Sequence, residues 1–153
     1  MRVGGRQRGA SYLLTLFVVA AMGFGLAHFG TLWSTAARKE RETELLFVGG
    51  EFARALASYR SAVPGETVPG PRRLEELLED PRFPFPRRHL RRLYRDPVTG
   101  AADWVLERRE GYIVGLRSRS AAPALQSAGL PPWVVAPAGP LRHRDWLFQP
   151  VTP

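Results

Sequence analysis

His89 and His143 are the side chains best suited to acid–base or metal chemistry, and their surroundings argue against both. No metal-like spacing joins them to acids or to each other, so both read as surface residues and not as ligands. Asp96, Asp103 and Glu107 could be imagined as an acid pair, but a turn and exposed strand faces account for them more simply. Arg87, Arg88, Arg91, Arg92 and Arg95, with Tyr94 among them, are of the type that grips phosphate while a ring stacks on a base. No recognition fold surrounds that cluster, and it reads instead as a solvated or subunit-contacting basic patch. The chain has no phosphate-binding glycine loop, zinc helix or nucleophile elbow. It has no cysteine, so disulfides and thiolate metal sites are excluded. The expectation is a non-enzyme with no catalytic residue, no cofactor and no metal.

The elements that carry these residues follow from length and charge. A chain of 153 residues has room for one modest domain. Its net charge of +8 is almost wholly arginine, since Lys39 is the single lysine. Such a balance favours nucleic acid or anionic headgroups as partners, or marks an arginine-rich solvated surface.

From Ala10 to Trp33 no residue is charged, and His28 is the one strongly polar side chain. A run of about 24 residues exceeds the roughly 20 that a helix needs to cross the hydrocarbon core. Arg2, Arg6 and Arg8 precede it without an acid, whereas Arg38, Lys39 and Arg41 are interleaved with Glu40, Glu42 and Glu44. The pure positive cluster holds the amino end in the cytoplasm and sends the bulk of the chain across. The rival reading is a cleaved secretory signal, for which Ser34-Thr35-Ala36 offers small residues but the apolar run is too long.

Beyond the run, Ala37, Leu45, Val48, Phe52, Leu56, Tyr59 and Val63 step mostly by three or four, a stripe on one helical face. Arg38 with Glu42 and Arg41 with Glu44 are spaced for supporting ion pairs. Pro64-Gly65 stops the helix, and Gly49-Gly50 is its weak point. Residues 12–63 would make a rod of roughly 75 Å at 1.5 Å per residue. Residues 64–71, PGETVPGP, form a linker. RRLEELLED predicts a short helix, RFPFP an extended piece, and RRHLRRLYR one or two further helical turns. DPVTG is a turn, with Gly100 supplying positive φ. WVLER and YIVGLRS form a hairpin across Arg109-Glu110-Gly111, a long loop runs from Ser118 to Arg144, and DWLFQ is a third strand. The fold class is α+β, a long amino-terminal helix packed by its second half on a small antiparallel sheet.

A basic leader ending in Gly9, an apolar helix starting at once after it, the RKERETELL continuation and a hairpin-containing head resemble a type IV pilin-like protein. Within that class the likeness is to the pseudopilins of type II secretion. WSTAARKERETELLFVGGEFARALASY, LEELLEDPRFP, HLRRLYRDPVTG, GYIVGLRS and DWLF carry it over most of the chain. The resemblance implies four parts: a leader at 1–9, a transmembrane half-helix at 10–33, a periplasmic half-helix at 34–63 and a head at 64–153. It implies that a prepilin peptidase cuts between Gly9 and Ala10 and methylates Ala10. Leu45, Val48, Phe52, Leu56 and Tyr59 would pack the helix on the head, while Gly23, Gly25 and Gly30 would permit close helix approach.

Two positions depart from that pattern. Ala10 stands where an aromatic residue is usual, and Leu14 where the family has a glutamate that neutralises a neighbour's amino terminus. An ammonium without that partner is costly in apolar surroundings, which points to a minor or tip-associated subunit. Residues 117–129, RSRSAAPALQSAG, lack the carboxylates with which some relatives hold calcium. The implied partners are prepilin peptidase, other pseudopilins, inner-membrane assembly components and membrane lipid, with nucleic acid disfavoured. The implied site is the inner membrane, single-pass, amino end cytoplasmic and head periplasmic. A membrane-anchored adaptor or minor pilin whose arginine patch binds DNA or anionic lipid is the alternative.

Overall fold

A computed structural model describes the backbone of residues 7–65 and 68–151, and the side chains of all of these except 7–11 and 23–34. One α-helix, α1, runs Gln7–Arg60. Strands β1 (Val105–Arg109), β2 (Tyr112–Arg117), β3 (Val134–Val135) and β4 (Leu147–Phe148) form one antiparallel sheet in the order β1-β2-β4-β3. Two short 3-10 turns, Leu74–Leu77 and His143–Asp145, complete the regular structure. The chain is α+β. It divides within α1 into two compact units, 1–39 and 40–153.

In the second unit, Leu45, Val48, Phe52, Leu56 and Tyr59 are all buried. They meet Trp104, Ile113, Leu116, Trp146 and Phe148 in one core. Phe52 lies edge-on to Trp104 with ring centroids 5.4 Å apart, and Trp104 edge-on to Phe148 at 6.4 Å. Such edge-to-face pairs add about 0.5–1.5 kcal/mol each beyond the area they bury. Gly49-Gly50 is not the weak point that helix propensity implies. A Cβ on Gly49 would lie 2.2 Å from the Phe148 ring, so the missing side chain is the notch through which α1 seats on β4.

Local chemistry sets the element ends. The helix stops at Arg60 and not at Val63: Pro64 has no N–H for the Arg60 carbonyl, and its ring crowds that carbonyl. The hairpin turn is two residues, Glu110 and Gly111, both with positive φ (53° and 84°), which matches the twist of the flanking strands. In DPVTG, Asp96 accepts from the Val98 N–H at 2.8 Å, and Gly100 takes φ 74°. Linker residue Pro71 is packed against the sheet, its carbonyl accepting from the Ile113 N–H at 2.7 Å.

Four expectations are corrected. RRHLRRLYR is not helical: the N–H groups of His89 and Leu90 both donate to the Leu77 carbonyl at 2.9 Å, which anchors the segment across the fold in place of an i to i−4 ladder. RFPFP is a series of turns and bends and not extended. The loop from Ser118 to Arg144 contains β3, paired to β4 through Val134 with Phe148. DWLFQ contributes the fourth strand, only two residues long, lying between β2 and β3.

Candidate functional site

From Tyr12 to Met22, α1 presents mostly apolar side chains with no protein over them. Every residue from Tyr12 to Met22 is exposed, with Tyr12 at 70%, Phe17 at 72% and Met22 at 65%. At 100° per residue these eleven positions cover all sides of the helix, so no polar face is left to meet water. Among the described residues no helix is long and apolar enough to cross a membrane. The remainder of the run, including the side-chain positions of Gly23, Gly25 and Gly30, lies outside the described side chains, as do those of Arg8, Gly9 and Ala10. Arg2 and Arg6 lie outside the described residues altogether. The α1 backbone begins at Gln7, two residues ahead of Gly9.

A second feature sits where the sequence offers an exposed ion pair. Glu42 does not reach outward to Arg38. It lies on the core stripe three residues before Leu45 and is buried. Its carboxylate accepts from the backbone N–H of Leu125 (2.8 Å) and of Gln126 (2.7 Å) and meets His143 Nε2 at 3.0 Å. Facing a carboxylate, Nε2 carries the ring proton. The ring stands edge-on to Trp146 at 5.5 Å. His143 is therefore buried and not a surface residue, because β4 and the turn before it fold back onto α1. The position of Glu42 on the apolar stripe was the signal available in the sequence; its partners, more than eighty residues away, gave none.

His89 is likewise not a surface side chain. Its Nε2 lies 3.1 Å from Asp80 Oδ2 and its Nδ1 2.8 Å from Ser58 Oγ, an array with the composition of a serine triad. With the proton on Nε2, Ser58 donates to Nδ1. The charge on Asp80 is already taken up by Arg82, whose Nε and Nη2 approach it at 2.9 and 2.6 Å. Ser58 also stands in the last turn of α1, where unpaired carbonyls oppose a developing oxyanion. The array is a fastening between α1 and the 80–90 segment. Arg82 extends it, donating to the Tyr59 carbonyl at 2.7 Å and lying 3.8 Å from the Tyr59 ring centre.

Burial pushes the Asp80 carboxyl up, but hydrogen bonds from Arg82 and His89 together with the Arg82 charge outweigh it, and the net pKa falls to about 2. Burial is also the main cause that pushes Tyr59 up to about 12. A depressed carboxyl stabilises the fold above its unfolded pKa, and that contribution is lost as pH falls from about 4 towards 2. Its size is about 2 kcal/mol from the width of the shift. Asp80→Asn is therefore expected to lower stability by about that amount at pH 7 and by little at pH 2. Urea unfolding followed by tryptophan emission at both pH values checks it.

The basic cluster is dispersed in its contacts. Arg87 donates to the Ala62 carbonyl at 3.3 Å and stacks on Phe83, Arg92 stacks on Tyr94, and Arg95 donates to the Gly100 carbonyl at 3.3 Å. Arg88 and Arg91 are exposed, with no ion pair among the described residues. Asp96 is fully buried and bonded to Ser118, while Asp103 and Glu107 pair with Arg119 and Arg117. The three acids are thus held apart in separate structural roles. Among the described residues no group of three or more His, Asp or Glu is placed to hold a metal ion. No protein-family model, curated protein or solved structure matches the chain.

Proposed function

We propose that this chain is a pilin-like subunit of the type II secretion pseudopilin kind, trimmed by a prepilin peptidase, held in the inner membrane by its amino-terminal run and then assembled by helix packing. The observation that carries the reading is the apolar surface on every side of α1 from Tyr12 to Met22, in the same helix that supplies the core stripe of an α+β unit. Such a surface is stable only in lipid or against other apolar helices. The sequence continues it without charge to Trp33. Arg2, Arg6 and Arg8 before the run, with no acid among them, support an orientation with the amino end in the cytoplasm and the unit from Glu40 onward in the periplasm. The subunit is non-catalytic in this reading and needs no cofactor. A nucleic-acid role is disfavoured because Arg87, Arg92 and Arg95 are already engaged with the protein's own carbonyls and rings.

Coexpression with a prepilin peptidase tests the proposal by intact mass. Removal of residues 1–9 with addition of one methyl group at Ala10 is the expected result, and Gly9→Leu is expected to abolish it. An unchanged mass for the natural sequence, or a cut near Ala36, overturns the reading.

A further inference from the structure

We infer that the tip of the loop before β3, residues 124–130, makes a second lipid contact, laying apolar side chains into the surface of the bilayer that holds the amino-terminal run. This contact rests on the anchoring proposed above. It goes beyond that anchoring because it belongs to the unit from Glu40 onward.

From Ser120 to Leu141 no residue is charged, in a chain of which 24% is Asp, Glu, Lys or Arg. Outside the amino-terminal run no other uncharged stretch is as long. Much of it faces outward. Ala121, Ala122, Pro123, Ala128 and Pro132 are exposed, and Leu125 is 48% accessible. Contiguous exposed apolar surface of this kind marks a contact. Backbone groups at the tip are partly satisfied from within, since the Gln126 side-chain amide donates to the carbonyls of Ala128 at 3.3 Å and Gly129 at 3.1 Å. Pairing them in this way lowers the cost of leaving water.

The position of the tip along α1 selects lipid as the partner. The N–H groups of Leu125 and Gln126 donate to Glu42, whereas Trp133 lies at the level of Gly50, where an added Cβ would meet its indole nitrogen at 3.1 Å. The loop therefore descends towards the amino end of the helix between Trp133 and Leu125. Glu42 stands nine positions beyond Trp33, the last residue of the uncharged run. Nine helical residues rise about 14 Å, and the headgroup layer reaches about 5–8 Å beyond the hydrocarbon core. The chain tether thus keeps the tip within a side chain or two of the lipid surface. Exposed charges on the segments that meet there are of both signs, with Glu40, Arg41 and Glu44 on α1 and Arg142 and Arg144 on the turn before β4. The contact is accordingly made by apolar area, as in other interfacial segments, and does not need anionic lipid.

The full chain tests this in phosphatidylcholine vesicles containing lipids with a nitroxide near the headgroup or midway along the acyl chain. Because the chain has no cysteine, single introduced thiols can carry a nitrobenzoxadiazole fluorophore. Ala128→Cys reads the tip and Leu16→Cys reads the run. Phe85→Cys is the control at the other end of the unit, where Arg82 and Arg87 fasten its segment to Tyr59 and Ala62. For a tip about 5–10 Å into the interface, headgroup-nitroxide quenching at Ala128→Cys is expected to exceed that at Phe85→Cys about threefold. Adding Leu125→Asp is expected to return it to the control level. Leu125 holds the fold by its backbone N–H while its side chain is half exposed, so an unchanged urea midpoint is expected for that variant and confirms its fold. Quenching at Ala128→Cys no greater than at Phe85→Cys overturns the inference, as does quenching indifferent to Leu125→Asp. Absence of acyl-nitroxide quenching at Leu16→Cys fails the anchoring itself, whereas quenching at Leu16→Cys without quenching at Ala128→Cys fails the loop contact alone.

Discussion

Glu42→Ala lowers the unfolding free energy by about 3–5 kcal/mol. The carboxylate is buried and holds three donors at once: two backbone N–H groups of the 125–126 segment and the His143 ring. Truncation strands the buried His143 donor and takes the acceptor from two part-buried N–H groups, and a buried donor left unmade costs about 1–3 kcal/mol. Glu42→Gln keeps one acceptor oxygen but turns an N–H₂ group towards donors, so an intermediate loss is expected. Glu44→Ala, two residues away and exposed, is expected to stay within about 0.5 kcal/mol. Urea midpoints of the full chain in detergent, read by tryptophan emission, separate the three. Equal midpoints for Glu42→Ala and Glu44→Ala would sink the claim that this acid is structural.

The second large effect is expected at Gly49. Helix propensity alone makes Gly49→Ala stabilising by up to about 1 kcal/mol. Packing decides the opposite sign. The new methyl would fall 2.2 to 2.5 Å from three atoms of the Phe148 ring. That ring is fully buried, and its backbone pairs with both Leu116 and Val134, so it cannot withdraw without disturbing the sheet. Overpacking of this kind costs about 1–3 kcal/mol or more, and a net loss of about 2–3 kcal/mol is expected. Gly50→Ala is the contrast. Its methyl would approach Trp133 at 3.1 Å, a contact that a small ring shift relieves, and a change of under about 1 kcal/mol is expected. In the double variant Gly49→Ala with Phe148→Leu the smaller side chain makes room, so the two losses should sum to less than their separate values. Strict additivity would mean that the ring and the notch are not in contact.

These two positions have a common meaning for function. Both hold α1 against the sheet within the unit from Glu40 onward, Glu42 through the turn before β4 and Gly49 through β4 itself. In the proposed subunit, that is the seat by which one helix serves the head while its amino half serves the membrane.

Much of this architecture was written in short-range pattern. The stripe from Leu45 to Tyr59 follows from 3.6 residues per turn, whereas Glu42, expected in an exposed pair with Arg38, is buried beside it. The uncharged run from Ala10 to Trp33 is legible position by position, since the absence of charge needs no distant partner to be seen. Hairpin and turn were evident in Arg109-Glu110-Gly111 and Asp96-Pro97, although Arg109 belongs to β1 and the turn is the two residues Glu110 and Gly111. The α+β class followed from those pieces together.

Other features depended on groups that meet only after the chain has folded. The two histidines read as surface side chains because their partners are remote: Glu42 stands 101 positions from His143, and Ser58 31 positions from His89. RRHLRRLYR has a helical apolar spacing, yet the Leu77 carbonyl captures two of its N–H groups and an irregular, bent path results. β3 is too short to announce itself and exists because β4 offers it a ladder. Gly49 was a flaw by propensity and is a fitting by packing, since only the folded state brings Phe148 to it. Local sequence decides where each backbone segment wants to bend; burial of polar groups and close packing are decided between segments, and no period in the sequence encodes them.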